Sequence, residues 1–131
     1  MAQKIRYLTT DDIARIHSFL IDEIGGVHGV RDQHALHAIE GLPRQSFGGK
    51  ELYATIFLKA AVYVRSVIHN HPFVDGNKRT GMTAAFVFLE NNGCLATAPK
   101  GLIQEFAVKI VTEKLEIEAI AAWLKKYTKK V

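Results

Sequence analysis

Ten consecutive residues, His71 to Thr80, read His-Pro-Phe-Val-Asp-Gly-Asn-Lys-Arg-Thr and contain most of the side chains that phosphate chemistry uses. They bring together a titratable imidazole, a carboxylate, a glycine, an amide and two cations. An apolar helical pattern leads into this run and another follows it. Few structural turns need all of these groups together, whereas a site that handles a phosphorylated nucleotide does.

The second half of the run predicts an anion-binding site at the start of a helix. Asp75 and Gly76 form a typical turn pair, and Asn77 is a candidate N-cap for the next helix. The first backbone amides of a helix have no partner within it and attract anions. Gly76 lets the backbone approach a phosphate closely. Lys78 and Arg79 add positive charge beside these amides.

The remaining residues of the run fit roles around such a phosphate. Pro72 disfavours helical backbone angles at His71, so the incoming helix should end at or before that histidine. A histidine titrates near neutral pH and is suited to remove a proton from an attacking hydroxyl. Asp75 can supply the single carboxylate that magnesium often needs when phosphates provide other ligands. We expect Phe73, which offers no such chemistry, to anchor the loop to the core.

Each feature taken alone is common in turns and helix caps, so the prediction depends on their order before a helix start. The chain has no Gly-x-x-x-x-Gly-Lys-[Ser/Thr] run and is therefore not a P-loop protein. His69-Asn70-His71 spells the letters of a nuclease motif, but that motif disperses its residues. His69 and His71 could also bind a metal as a pair, although no third ligand is adjacent. His34 and His37 are expected at the surface.

Length and composition predict one compact domain over residues 1–131, long enough to bury a core without disulfides. Cys94 is the only cysteine, which excludes an internal disulfide and a cysteine-based zinc site. The apolar segment from Leu52 to Ile68 is interrupted by Lys59 and Arg65, so it predicts a buried helix and not a membrane span. The first six residues lack an apolar signal core, and we expect a cytoplasmic protein.

The formal net charge is +4, from 17 basic and 13 acidic residues, and this excess favours an anionic partner. Part of the excess lies in four lysines near the end of the chain, where a solvated helix end also accounts for it: Lys125, Lys126, Lys129 and Lys130. No helix-turn-helix pattern is present, and aromatic residues do not interleave with the basic ones. Direct nucleic-acid binding is therefore not expected.

The periodicity of apolar residues predicts an all-α protein. Thr9 or Thr10 should cap the first helix, and Gly25-Gly26 should end it. Further helices are predicted at about 32–40, 52–70, 77–91, from about 99, and at about 115–124. The glycine-containing segment 44–51 predicts a loop or short hairpin. Alternation with a period of two is weak throughout, so any strands should be short.

The run His71–Thr80 resembles the signature loop of the Fic/Doc superfamily, and specifically its Doc (death-on-curing) branch. The Fic pattern is His-Pro-Phe-x-[Asp/Glu]-Gly-Asn-Gly-Arg-x-x-Arg. Lys78 stands here in place of the second glycine and Met82 in place of the final arginine. The run Asn-Lys-Arg-Thr at residues 77–80 is the Doc form. The similarity covers roughly residues 5 to 127. Weaker matches are Gly29–Asp32, Ser46–Gly49, Lys59–Ala61 and Asn91–Gly93.

The resemblance implies a compact Fic/Doc-type helical bundle whose loop and following helix form a nucleotide site. Fic enzymes usually transfer AMP from ATP to a protein hydroxyl. Doc-type toxins bind the nucleotide reversed and transfer its gamma phosphate to a threonine of elongation factor Tu, which stops translation. Lys78 and Met82 favour the second reaction, because an added lysine and a lost arginine change where phosphate charge can lie. AMP transfer remains the alternative.

The resemblance also implies a role for each residue of the loop. His71 would be the base for the target hydroxyl, and Asp75 would hold magnesium. Arg79 would bind phosphate, and Phe73 would anchor the loop. Gly76, Asn77 and Lys78 would form the anion hole. The Ser46–Leu52 segment resembles the flap that presents the target peptide by strand-like pairing.

Many Fic proteins carry an inhibitory helix with a [Ser/Thr]-x-x-x-Glu-[Gly/Asn] pattern. Glu40-Gly41 and Glu90-Asn91 are the matching pairs here, but Leu36 and Phe86 stand four residues before them instead of a hydroxyl residue. A separate antitoxin of the Phd type is therefore expected, docked as a short helix in a groove. A third reading, an inactive relative that only binds a partner, remains open. Against it, all four polar positions of the motif that carry its chemistry are present.

Overall fold

The computed structural model describes residues 4–131, and within them the chain is a bundle of six helices with two small pairs of strands. The helices are α1 (Thr10–Ile24), α2 (Gln33–Ile39), α3 (Ile56–Asn70), α4 (Asn77–Asn91), α5 (Lys100–Thr112) and α6 (Ile117–Lys126). The strands are β1 (Ser46–Phe47), β2 (Lys50–Glu51), β3 (Cys94–Ala96) and β4 (Thr128–Lys130). The predicted all-α class is confirmed.

Helix α1 begins where the sequence indicates. The Thr9 side chain accepts a hydrogen bond from the Asp12 amide at 3.1 Å, and the Asp12 carboxylate accepts from the Thr9 amide at 2.9 Å. This capping box pairs two amides that a helix start otherwise leaves free. Ile13, His17 and Ile21 form the buried stripe of the helix. A histidine thus occupies the middle of an otherwise apolar face.

Helices α3 and α4 form the centre of the bundle. Along α3, Ala60, Ala61, Tyr63, Val64 and Val67 are fully buried. A methyl group built at Gly81 of α4 would lie 3.1 Å from the Val64 carbonyl oxygen, so the two helices approach closely there. The helix pair therefore fixes both ends of the loop 71–76 that joins them. Helix α3 begins at Ile56 instead of the predicted Leu52, because the Thr55 side chain caps it by accepting from the Leu58 amide.

Tyr63 connects α3 to the segment that precedes α1. Its hydroxyl accepts a hydrogen bond from the Leu8 amide at 2.9 Å, and the side chain is fully buried. Burial raises the pKa of Tyr63 to about 12, from 10.0 for an unperturbed tyrosine.

This pKa predicts a loss of stability in alkali. The folded state holds the Tyr63 proton more tightly than the unfolded chain, so the full contribution is present below pH 10 and is lost between pH 10 and about 12. The loss should reach up to about 3 kcal/mol, at 1.36 kcal/mol per pKa unit. Denaturant titrations from pH 8 to 11.5 measure it. Tyr63→Phe should be less stable at pH 8 but should decline less steeply, and equal slopes in the two proteins would contradict the assignment.

Strands β1 and β2 form the short hairpin that the glycine-containing segment predicts. Ser46 pairs with Glu51 and Phe47 pairs with Lys50 in antiparallel register. Beneath the hairpin, the buried Lys59 donates from Nζ to the Glu51 carboxylate at 2.9 Å and to the Tyr53 carbonyl at 2.6 Å. These bonds tie the base of the hairpin to α3.

The other two strands come from the C-terminal third of the chain. Strands β3 and β4 pair antiparallel, with Leu95 opposite Lys129. All four strands are two or three residues long, as the weak alternation predicts. Within residues 4–131, no helix has the length and apolar character that crossing a membrane requires.

Candidate functional site

The loop between α3 and α4 contains the first half of the predicted site. His71 ends α3 in a left-handed backbone conformation, with φ of 46°, and its side chain is exposed. A non-glycine residue seldom adopts this conformation, which turns the chain out of the helix in one step. The end of α3 at this histidine confirms the boundary that Pro72 predicts.

A segment far away in the sequence holds the backbone of this loop. Arg31 donates from Nε to the His71 carbonyl at 2.6 Å and from Nη2 to the Asn70 carbonyl at 2.8 Å. The Arg31 amide donates to the Pro72 carbonyl at 2.7 Å, and the Val74 amide donates to the Gly29 carbonyl at 3.0 Å. These bonds satisfy carbonyls that the end of α3 leaves free and fix the position of His71.

Phe73 points away from the loop surface into the core. It is 1% exposed and stacks on the ring of His17, with 3.8 Å between the ring centroids and 4° between the planes. Its backbone is held by the Asn77 side chain, whose Oδ1 accepts from the Phe73 amide at 3.1 Å and whose Nδ2 donates to the Phe73 carbonyl at 2.9 Å.

The prediction that Asn77 caps α4 is therefore wrong. Gly76 occupies the N-cap position in a left-handed conformation, with φ of 76°, and makes no side-chain cap. Asn77 is the first residue of the helix, and its amide group is already used by the Phe73 backbone. The sequence shows which residues form this turn but not which of them occupies the N-cap position.

The start of α4 presents free backbone amides, as predicted. The first intrahelical bond of this region runs from the Thr80 amide to the Gly76 carbonyl. Among residues 4–131, the structure provides no acceptor for the amides of Asn77, Lys78 and Arg79. Three amides at the positive end of a helix dipole are suited to bind phosphate oxygens.

Two cations stand beside these amides in different environments. Lys78 is exposed, whereas Arg79 is half-buried and donates from Nη2 to the Gly25 carbonyl at 3.1 Å. Arg79 is thus oriented by the chain, while Lys78 is free to move toward a ligand. Thr80, the last residue of the run, is fully buried and does not line the site.

Asp75 is oriented by backbone amides on both sides. Its Oδ2 accepts from the Val27 amide at 3.0 Å, and its Oδ1 accepts from the Gly76 amide at 2.9 Å. Each oxygen keeps a lone pair for a further ligand. The part of the chain that the structure describes has no group of three or more acidic, histidine or cysteine residues able to enclose a metal. A single carboxylate with free lone pairs suits a cation that takes its other ligands from phosphates and water, as magnesium often does.

The lack of a side chain at Gly26 provides the space that the Asp75 carboxylate occupies. A methyl group at Gly26 would lie 2.6 Å from Asp75 Oδ2 and 3.0 Å from Ile21 Cδ1. Gly25, its neighbour, also has a positive φ, but nothing lies within 4 Å of a methyl group built there.

The two glycines provide a matched pair of substitutions. Gly25→Ala should cost about 1 to 3 kcal/mol through its backbone conformation alone, because essentially only glycine adopts a φ of 108° with a ψ of 170°. Gly26→Ala should cost roughly 1 to 3 kcal/mol more, because the added methyl group displaces the Asp75 carboxylate. Urea denaturation at neutral pH measures both changes in the free energy of unfolding. Equal losses for the two variants would show that the contact with Asp75 does not constrain position 26.

The predicted polar residues face one cleft of about 380 Å³. Ile68, Val74 and Val111 supply its apolar walls. Its polar lining consists of His71, Asp75, Gly76, Asn77, Lys78 and Arg79. A base, a carboxylate, free amides and two cations in one cleft can bind a phosphate and deprotonate a hydroxyl brought beside it.

An apolar groove of about 450 Å³ adjoins this cleft between α1, α4 and α5. Lys78 and Arg79 line both, and Lys100 adds a third cation to the groove. The apolar walls come from Leu20, Ile24, Met82, Ile103, Ala107 and Val108. Met82, where the Fic pattern has arginine, is thus a buried apolar residue beneath the groove, with 2% of the residue exposed.

Two residues of the site were missed by the reasoning from sequence. His17 is 3% exposed, and its Nε2 lies 2.8 Å from the Asp75 carbonyl oxygen. Burial lowers the pKa of His17, so its ring is neutral at pH 7. A histidine in the stripe of Ile13 and Ile21 is the signal that could have identified it. Arg31 lies in the weaker family match Gly29–Asp32, but its role has no local signal, because its partners lie about 40 residues away.

Comparison with known proteins agrees with these observations. The model of the Fic/DOC family matches residues 7–89. The chain is 32% identical over 120 residues to the protein named Toxin Doc of Mycolicibacterium smegmatis, a match that covers 90% of each chain. It is 25% identical over 123 residues to the protein named Protein kinase doc of Escherichia phage P1, covering 93% of this chain and 95% of the relative.

Proposed function

Because this chain belongs to the Fic/DOC family, we propose that it is a Doc-type toxin that transfers the gamma phosphate of ATP to a protein hydroxyl. The acceptor is a threonine of a translation factor, with elongation factor Tu as the first candidate. Phosphorylation of such a target blocks translation. Because translation factors work in the cytoplasm, the protein acts there too. The names of the two relatives, a toxin and a protein kinase, support this assignment.

The observation that carries the proposal is the shared cleft of His71, Asp75 and the free amides of α4. In the transfer, His71 removes the proton of the threonine hydroxyl while the threonine oxygen bonds to the gamma phosphorus. The bond from that phosphorus to the bridging oxygen breaks, and ADP leaves. A positioned base of this kind contributes typically 10² to 10⁴-fold to the rate.

The remaining groups stabilise charge on the phosphates. The amides of Asn77, Lys78 and Arg79 bind phosphate oxygens, and the side chains of Lys78 and Arg79 add positive charge. Asp75 would hold a magnesium ion, which neutralises part of the phosphate charge when bound. Arg79 is oriented for this role by its bond to the Gly25 carbonyl.

Met82 supports phosphoryl transfer over AMP transfer. In the Fic pattern an arginine at this position helps to hold the phosphates with the alpha phosphate exposed. Met82 is buried and apolar and can make no ion pair. Lys78 instead carries positive charge to the exposed side of the cleft. The phosphate charge is therefore bound differently from that in an AMP transferase.

Two labelled forms of ATP distinguish the reactions. Purified protein, magnesium and bacterial lysate are incubated with ATP labelled on the gamma phosphate or on the alpha phosphate. We expect a protein band labelled from the gamma phosphate only, and no band with His71→Ala. A band labelled from the alpha phosphate would establish AMP transfer instead. No label from either form would favour a relative that only binds a partner.

The hairpin β1–β2 is the surface on which the target binds. Within the described residues its strands pair only with each other, and Phe47 is 82% exposed. An extended target segment can add to such a free strand edge through backbone hydrogen bonds. Lys59 and Glu51 hold the base of the hairpin in place for this contact.

A Phd-type antitoxin is the partner that restrains this activity, and its helix occupies the apolar groove beside the cleft. The groove offers an apolar floor and three cations, which suits an amphipathic helix with acidic residues. Ile103→Glu should weaken co-purification with the co-expressed antitoxin. Val131→Glu, an exposed apolar position outside the groove, is the matched control. Equal losses, or none, would place the antitoxin elsewhere.

A further inference from the structure

A single peptide group, between Asp75 and Gly76, sets the direction of several groups in the cleft. No cis peptide is found among residues 4–131, so the carbonyl of Asp75 and the amide of Gly76 point in opposite directions. The carbonyl faces His17 of α1, and the amide donates to Asp75 Oδ1 at 2.9 Å. The orientation of this peptide thus supplies one of the two amides that hold the Asp75 carboxylate, the other being that of Val27.

This peptide is able to rotate, because Gly76 follows it. Rotation of a peptide between fixed neighbours changes φ of the second residue by about 180°, which only glycine accepts readily in either sign. After rotation, the Asp75 carbonyl would point where the Gly76 amide points now, toward the Asp75 carboxylate that lines the cleft. A carbonyl oxygen there repels both an anionic phosphate and the carboxylate. The Gly76 amide would also lose its bond to Asp75 Oδ1.

The contact that opposes this rotation comes from α1. His17 Nε2 lies 2.8 Å from the Asp75 carbonyl oxygen. Because that oxygen can only accept, Nε2 must carry the hydrogen. The ring is held in place by its stack on Phe73, 3.8 Å away and 4° from parallel, and by burial to 3% exposure. The donor therefore has almost no freedom to follow a rotated peptide.

We infer that His17 is a positioning residue, which keeps the Asp75–Gly76 peptide in the one orientation that leaves the α4 amides open to phosphate. His17 does not line the cleft, and it acts through this peptide. The effect of His17 on phosphoryl transfer rests on the proposed function. The effect of His17 on the orientation of the Gly76 amide does not depend on that function.

Two substitutions of His17 separate the effect of its hydrogen-bond donor from the effect of its stacked ring. His17→Phe keeps an aromatic ring for the stack on Phe73 but removes the donor, whereas His17→Gln keeps an amide donor without the ring. We expect roughly tenfold weaker ATP binding for His17→Phe, corresponding to the loss of one hydrogen bond to a partly buried carbonyl. His17→Gln should recover part of this loss. A purely structural role predicts that binding follows thermal stability in both variants, and that result would overturn the inference.

The Gly76 amide provides a readout that needs no turnover. In ¹⁵N NMR spectra, His17→Phe should shift the Gly76 resonance and reduce the response of the Asn77, Lys78 and Arg79 amides to inorganic phosphate. An unchanged Gly76 resonance and phosphate response would overturn the inference. If the wild-type amides respond to phosphate but no phosphoryl transfer occurs, the proposed function fails while the role of His17 stands.

The tautomer of His17 tests the same point in the unmodified protein. Imidazole ¹⁵N shifts should show the hydrogen on Nε2 at neutral pH. A hydrogen on Nδ1 would leave Nε2 unable to donate and would overturn the inference, even if both variants failed to fold.

Discussion

Replacing His71 should lower the rate of phosphoryl transfer by about a hundredfold or more while leaving nucleotide binding nearly intact. His71 is exposed at the end of α3 and lines the cleft, so its ring can reach a hydroxyl brought to the bound phosphate. Loss of a general base should lower kcat by about 10² to 10⁴-fold. The ATP dissociation constant should change little, because the amides and cations at the start of α4 remain.

The backbone of His71 requires a second substitution at the same position. Its φ of 46° is unfavourable for alanine by roughly 1 to 2 kcal/mol, whereas asparagine tolerates it better. His71→Asn should therefore be more stable than His71→Ala and equally inactive. His69→Ala, at an exposed position two residues earlier, is the control and should keep full activity. Substantial activity in His71→Asn would assign the base to another group.

Replacing Asp75 by asparagine should remove the dependence of the reaction on magnesium. The asparagine side chain has nearly the same shape but no negative charge, and its amino group cannot accept from the Val27 or Gly76 amide. One of these two amides, of which Val27 is exposed and Gly76 is partly buried, then loses its acceptor at a cost of about 0.5 to 1.5 kcal/mol in stability. The loss of charge should lower the rate on the order of 10²-fold or more, since a metal supplies several kcal/mol of charge stabilisation.

Binding measurements with and without magnesium separate the two effects of Asp75→Asn. Magnesium should strengthen ATP binding to the wild-type protein but not to the variant. Asp22→Asn, an exposed carboxylate of α1 paired with His28, is the matched control. An unchanged magnesium dependence in Asp75→Asn would exclude this carboxylate as the metal ligand.

The positions of the helices could be predicted because their signals are local. Thr9 and Asp12 cap α1, Pro72 follows the last residue of α3 by two positions, and apolar residues recur at helical spacing. Such signals act over four or five residues and are readable in a linear sequence. For the same reason the free amides at the start of α4 were predictable from the turn that precedes them.

The errors came where two local solutions compete. Asn77 and Gly76 are both acceptable caps, and the choice depends on whether the Asn77 amide is needed elsewhere. The Phe73 backbone uses it, and Gly76 supplies the left-handed turn. Helix α3 likewise begins directly after Thr55 because that hydroxyl satisfies the Leu58 amide, although apolar residues start earlier.

The sequence by itself determined which residues are the candidates for the chemistry, since the motif places an imidazole, a carboxylate, a helix-start turn and two cations within ten positions. Only the tertiary structure decided how they are held. His17 contacts the Asp75 backbone across 58 residues, Val27 contacts its carboxylate across 48, and Arg31 contacts His71 across 40. Contacts between distant segments depend on how the helices pack, and no periodicity or spacing within either segment encodes them.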